Sequence, residues 1–158
     1  MREFSHLDET GKAKMVDVGD KKPTRRMARA RALMLLPDEV VRHFNGQDVE
    51  TKKGGVFQTA ILAGIMGAKK TSELIPLCHP LSLDNCSLDI ELSGKNELQI
   101  IAEASIESKT GVEMEALTAA SVAALTVYDM CKGMSHDIVI KEIKLLSKTG
   151  GKSDYHTA

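Results

Sequence analysis

A chain of 158 residues is long enough to bury a core of its own and reads as one domain, 1–158, with 1–14 and 154–158 as flexible ends. A formal net charge of −1 gives no overall field that would select nucleic acid or a membrane surface, and 3% aromatic residues with no Trp leave little to stack on bases. No apolar run reaches the roughly 18 residues of a membrane span, no signal peptide opens the chain, and the three cysteines form no CxxC pair, which together point to a reduced, cytoplasmic setting.

In chain order, Met15–Val18 is the first candidate strand. Gly19 to Arg31 then carries six basic side chains: Lys21, Lys22, Arg25, Arg26, Arg29 and Arg31. Within it Arg26, Ala28, Ala30 and Ala32 alternate with Arg25, Met27, Arg29 and Arg31, the period of two that predicts a strand. This basic stretch reads either as a solvated edge that resists pairing or as an anion-binding rim. In the second case Arg26 is favoured, because a guanidinium grips phosphate through two parallel bonds. A short helix is expected over Pro37–Phe44, with Pro at its first position and Gly46 beyond its end.

Thr51-Lys-Lys-Gly-Gly55 precedes an apolar helix, Val56–Lys69, whose Met66 reads as core. Lysines before two glycines at a helix start make a weak phosphate-site signal, since free amides and the dipole point at that spot. In Thr71–Pro80, Cys78 and His79 stand between Pro76 and Pro80, whose rings restrict the backbone on both sides. No partners at ligand spacing accompany them, so a metal is not expected. A Cys78 nucleophile and a buried structural histidine are alternatives; a rigidly presented His79, hydrogen bonding or exchanging protons, is preferred. Leu83–Leu92 and Leu98–Ile106 alternate and flank Ser93–Glu97, a β-hairpin.

The longest regular stretch is Lys109–Lys132, KTGVEMEALTAASVAALTVYDMCK. Thr110 and Glu113 have capping-box spacing, and a helix of about six turns to Lys132 is predicted. Its Ala-rich middle allows close packing. Glu113 and Glu115 suit the positive helix start, and Lys132 suits its end. Asp129 does not: an acid in the last turn opposes the helix field, which marks it, with its i,i+3 neighbour Lys132, as a functional candidate. Asp137–Leu146 is a last strand. Lys148–Ser153, KTGGKS, has the end of a P-loop but neither its first glycine nor a following helix, so that reading is rejected. Strand, helix, hairpin, helix, strand is the ferredoxin-like βαββαβ order, an α+β fold with an antiparallel sheet and helices on one face.

MVDV with Thr24 and Arg26, KGGVFQTA, LIPLCHPL, the long helix and KTGGKS together resemble the cyclic pyranopterin monophosphate synthases, the C proteins of molybdenum-cofactor biosynthesis. The resemblance runs from about Leu7 to Ser153. The chain departs from the family pattern at Gly19, often Ser, and at Asp154, often Gly. The resemblance implies a lyase that turns 3′,8-cyclo-7,8-dihydro-GTP into a pyranopterin carrying a cyclic monophosphate, releasing pyrophosphate. It implies Asp129, Lys132, Lys53 and His79 as catalytic residues. Leu77, Cys78, His79, Met114 and Glu115 would line the substrate, and Lys21, Arg26 and Lys148 would bind phosphate. Glu113 or Glu115 would hold the guanine-like N–H edge. It also implies a homohexamer, a trimer of dimers with sites at subunit interfaces, with no tightly bound cofactor beyond Mg2+ arriving on the triphosphate. RNA binding and a regulatory ligand-binding oligomer are rival readings. The first lacks exposed aromatics on the central strands, and the second has no use for the reactive residues.

Overall fold

The computed structural model describes residues 5–157. Its elements are β1 (Thr24–Leu35), α1 (Asp38–Val41), β2 (Glu50–Thr51), β3 (Gly54–Gly55), α2 (Val56–Lys69), α3 (Thr71–Leu74), β4 (Asn85–Leu92), β5 (Glu97–Ser108), α4 (Glu113–Cys131), β6 (Val139–Thr149) and β7 (Tyr155–His156). The main sheet runs β4-β5-β1-β6-β7 with every pair antiparallel, and β2 and β3 form a separate small hairpin. The four long strands have the ferredoxin-like order, so the predicted α+β class holds.

Alternation along the strands explains the layering. On β1, Ala28, Ala30, Ala32 and Met34 are buried, and on β5 so are Leu98, Ile100, Ala102 and Ala104. Register pairs Ala28 with Ala104, Ala30 with Ala102 and Ala32 with Ile100, so these residues share one face. Onto that face pack the alanines of α4 (Ala116, Ala119, Ala120, Ala123, Ala124) and the buried side of α2. The opposite face is charged: Arg29 meets Glu103 at 3.5 Å, Arg31 meets Glu142 at 2.6 Å, and Lys141 meets Glu97 at 3.0 Å.

Several expectations need correction. The basic stretch is no edge: β1 lies between β5 and β6 at the centre of the sheet. Its outward arginines are tolerated because acids on both neighbouring strands pair with them. Met15–Val18 is not a strand, since the Asp17 carboxylate accepts the Gly19 N–H at 2.8 Å and turns the chain away from any sheet partner. The Pro37 helix has only four residues, Asp38–Val41, with Pro37 at its cap; Phe44 instead bridges to Val49. The Thr110–Glu113 capping box does not form. Helix α4 starts at Glu113 with Val112 at the cap, and the Glu113 carboxylate turns to Lys148. The last strand extends to Thr149 and bulges where β1 passes Arg29/Ala30 and Leu33/Met34. Of the ends read as flexible, residues 1–4 and 158 lie outside the described residues. Leu7 bridges to Ala13, and Tyr155–His156 pairs with β6.

Helices α2 and α4 touch through small residues. A Cβ on Gly64 would stand 2.5 Å from Leu88 Cδ2 and 2.9 Å from the Ala119 carbonyl oxygen. The backbone oxygen cannot step aside without moving α4. Gly64→Ala should therefore cost roughly 1–3 kcal/mol of stability, outweighing the ~1 kcal/mol of helix propensity it gains. Urea unfolding reads this as a lower midpoint with an unchanged slope.

Candidate active site

The predicted site residues collect at the two ends of α4. At its start, two clefts share a wall of Thr110, Gly111 and Glu113. The first, about 210 Å³, is cationic: Lys21, Arg26 and Lys148 line it, joined by Lys109 and Lys152. Arg26 lies on the helix-facing side of β1, but one step beyond the buried alanines, so its side chain leaves the core and enters the cleft. Its Nε and Nη2 donate to the carbonyls of Ser108 and Lys109, each at 3.3 Å, so the guanidinium ties β1 to the turn leading into α4. Lys148, on β6, meets Glu113 at 2.9 Å. The tail loop is drawn in from the other side: Thr24 donates to the Gly150 carbonyl at 2.7 Å, and the Gly150 N–H donates to Asp154 at 3.1 Å. Lys109 donates to the Gly19 carbonyl at 2.6 Å, a contact that any residue at position 19 can accept.

The second cleft, about 310 Å³, is lined by Leu77, Cys78, His79, Met114 and Glu115, with His6 at its rim. A turn closed by the Cys78 N–H on the Ile75 carbonyl, at 3.1 Å, follows α3 and delivers Leu77–His79 to this wall. Both flanking prolines are in trans peptides. Glu115 is only 4% exposed, and burial raises its pKa, with Glu113 adding to the shift. Cys78 is also shifted up, by burial and then by the charge of Glu115, so the group is a thiol rather than an activated thiolate. That argues against the nucleophile alternative.

At the far end of α4, Asp129 and Lys132 pair at 2.6 Å across one turn. The hydrogen bond and charge of Lys132 lower the Asp129 pKa, and Lys53 lowers it further. The same contact raises the pKa of Lys132, keeping the amine protonated. Lys53 sits at the tip of the β2–β3 turn, where its N–H donates to Thr51 Oγ1 at 3.1 Å. Next to it is a broad, mainly apolar hollow of about 650 Å³ formed with His43, Met130 and Met134.

One chain thus gathers nine of the predicted residues (Lys21, Arg26, Leu77, Cys78, His79, Glu113, Met114, Glu115, Lys148) at the start of α4 and three (Lys53, Asp129, Lys132) at its end. The weak phosphate signal at the start of α2 is overturned. Its first amides are already taken: Val56 by the Val49 carbonyl, and Phe57 and Gln58 by the Asp48 carboxylate. Sequence reading missed Lys109, Lys152 and His6. The lysines lie within motifs that were singled out for other residues, and His6 lies in a segment read as loose. Among the described residues, no three His, Cys, Asp or Glu side chains converge as a metal site would require.

A sequence model of the MoaC family matches residues 15–151. The chain belongs to the MoaC family. Two relatives are named cyclic pyranopterin monophosphate synthase. That of Xanthomonas campestris pv. campestris (strain B100) is 49% identical over 155 residues, 98% of this chain and 94% of its own. That of Desulforapulum autotrophicum is 50% identical over 154 residues, 97% of this chain and 93% of its own. A third, the molybdenum cofactor biosynthesis bifunctional protein of Synechocystis sp., is 47% identical over 155 residues, which are 96% of this chain but 45% of the relative. The MoaC match therefore includes both ends of α4 and most of the lining of the clefts, leaving His6, Lys152 and Ser153 outside it.

The buried Glu115 carries a pH signature. Because its folded pKa is raised, the folded state binds a proton that the unfolded chain has lost. Its contribution is complete below the ordinary value of 4.5 and fades as pH rises through the folded value. Glu115→Gln should consequently be more stable than the parent at pH 7, with the difference shrinking toward pH 4.5. Urea midpoints at the two pH values measure it, and an equal difference at both would assign the effect to packing instead.

Proposed function

We propose that this chain converts 3′,8-cyclo-7,8-dihydro-GTP into cyclic pyranopterin monophosphate and pyrophosphate, as a phosphorus–oxygen lyase of molybdenum-cofactor biosynthesis in the cytoplasm. The observation that carries this reading is the shared wall between a five-cation cleft and a cleft holding Glu115, Cys78 and His79. A purine-derived triphosphate needs both chemistries side by side. Lys21, Arg26, Lys109, Lys148 and Lys152 neutralise the phosphates while a ribose oxygen attacks the α-phosphorus and the bond to the β-phosphate breaks. Mg2+ travels with the triphosphate rather than residing in the protein. Glu115 meets the N–H edge of the ring from an apolar wall, where a carboxylate–amide bond is stronger than in water. His79 hydrogen bonds alongside.

The proton transfers that open and rebuild the ring fall to the other end of α4. Asp129 orients Lys132 and keeps it charged, so Lys132 acts as a proton donor or as the cation that stabilises a developing oxygen anion. Lys53 approaches from the β2–β3 turn as the second acid–base group. In an assay for pyrophosphate and an oxidisable pterin, the parent should turn over. Lys132→Met should stay folded and lose at least about 100-fold in kcat. A folded parent without product would sink the enzyme reading, and a fully active Lys132→Met would remove that residue from the mechanism.

If both ends of α4 serve one substrate, helix geometry favours a second copy. Glu115 and Asp129 are fourteen residues apart, about 21 Å along one straight helix, too far for one small substrate to bridge within one chain. Their midpoint is Val122. A two-fold axis crossing α4 there would set the Glu115 end of one chain against the Asp129 end of its partner. The outer helix layer suits such a neighbour, because Leu62, Leu125 and Met66, which lies at the surface and not in the core as its sequence suggested, are each about 60% exposed. Three such dimers would make the hexamer. Co-refolding Glu115→Ala with Asp129→Ala chains, each inactive alone, should recover roughly a quarter of the sites, since half the dimers are mixed and each holds one intact site. No recovery from properly mixed chains would put both residues in one chain's pocket.

A further inference from the structure

We infer that Asp48 is a positioning residue for Lys53: its buried carboxylate clasps both ends of the loop that carries the lysine and holds that loop against the end of α4. Asp48 is 7% exposed, and its hydrogen-bond partners are all backbone amides. Oδ1 accepts from Val49 at 2.6 Å, where the loop leaves, and from Phe57 at 2.7 Å, where it returns. Oδ2 accepts from Gln58 at 3.2 Å. The Val56 N–H donates to the Val49 carbonyl at 3.0 Å and closes the same neck. Lys53 lies midway around this loop, at its tip.

Two further observations tie the clasp to the site. Gly55 lies against the carboxylate so closely that a Cβ there would stand 2.6 Å from Oδ2, so loop and acid are fitted to one another. The hollow beside Lys53 is also lined by Met130, Gly133 and Met134, which sets the tip of the held loop against the end of α4. Asp48 therefore holds the base of a loop whose tip faces the turn of α4 that carries the other two members of the cluster. Because Asp48 itself stands at the outgoing end of the loop, its bonds to Phe57 and Gln58 join that end to the returning one. A small displacement of Lys53 matters because proton transfer is sensitive to shifts of about 1 Å.

The kinetic part of the test rests on the proposed activity; the cross-linking part does not. Asp48→Asn keeps the shape of the side chain but turns an NH2 group toward an amide donor. Its kcat should fall on the order of 10–100-fold, with KM within about threefold of the parent. In a Lys53→Ala background the same substitution should cost no more than about twofold, since the group it positions is gone. A merely structural role would lower both backgrounds equally. Independently of turnover, carbodiimide should link Lys53 to Asp129 in the parent, and Asp48→Asn should lose that link while keeping the one between Lys132 and Asp129.

If Asp48→Asn does not fold, Gly55→Ala displaces the carboxylate from the other side and should give the same pattern. The inference is overturned by an unchanged kcat, by an equal loss in the Lys53→Ala background, or by both links falling together. A parent that makes no product would refute the activity instead, and the two cross-links would then decide the role of Asp48 alone.

Discussion

Close contact between small side chains is the constraint on which the rest of the molecule depends. Ala28, Ala30 and Ala32 of the central strand face the alanines of α4, and Gly64 and Gly67 of α2 meet α4 from the side. Without long side chains in this layer, α4 can lie close to the sheet along its whole length. Its buried middle carries no charge, and the only wholly buried acid in the helix is Glu115. Charged groups are therefore excluded from the middle of α4 and confined to its ends. The spacing between the two clusters is the length of the helix.

The two ends are also electrically different. At the start of α4 the acids Glu113 and Glu115 agree with the helix dipole, and one is exposed to a cationic cleft while the other is buried. Burial shifts Glu115 toward its neutral form, whereas the ion pair with Lys148 holds Glu113 on the surface side. At the end of α4, Asp129 opposes the dipole and is kept ionised by two lysines. Acids on one helix thus occupy three electrostatic settings, set by depth and by the nearest cation. That spread is what a reaction combining phosphate binding with several proton transfers calls for.

Much of this was legible in the residues. Period-two runs located β1, β4 and β5, and the Ala-rich stretch located α4, because burial on one side writes itself into spacing. The dipole argument singled out Asp129, and its pairing with Lys132 follows from i,i+3 geometry. What could not be read depends on who competes for a polar group. Thr110 and Glu113 have capping-box spacing, yet Lys148, thirty-five positions downstream, takes the glutamate. Arg25 to Arg31 look like an edge until Glu103 and Glu142 arrive on the neighbouring strands. Asp48 gave no signal at all, since an Asn-Gly-Gln-Asp turn is ordinary loop composition and the amides it serves lie about ten residues on.

The same competition explains why two lysine–glycine stretches of one chain have different fates. KKGG at the start of α2 and KTGGKS after β6 both combine backbone amides with lysines, the pairing that binds phosphate at helix starts. At α2 an internal carboxylate already occupies the anion's place, and Gly54, at φ +104°, and Gly55 serve to bring the chain around it. The phosphate-like position is filled by the protein itself, which leaves Lys53 at the tip of a held loop. In the tail, Asp154 takes the Gly150 amide and Glu113 pairs with Lys148, while Gly151 to Ser153 remain along the cationic cleft. An internal acid thus turns one motif into a held loop with Lys53 at its tip, whereas the acids near the other engage only its first lysine and first glycine and leave Gly151 to Ser153 along the cationic cleft.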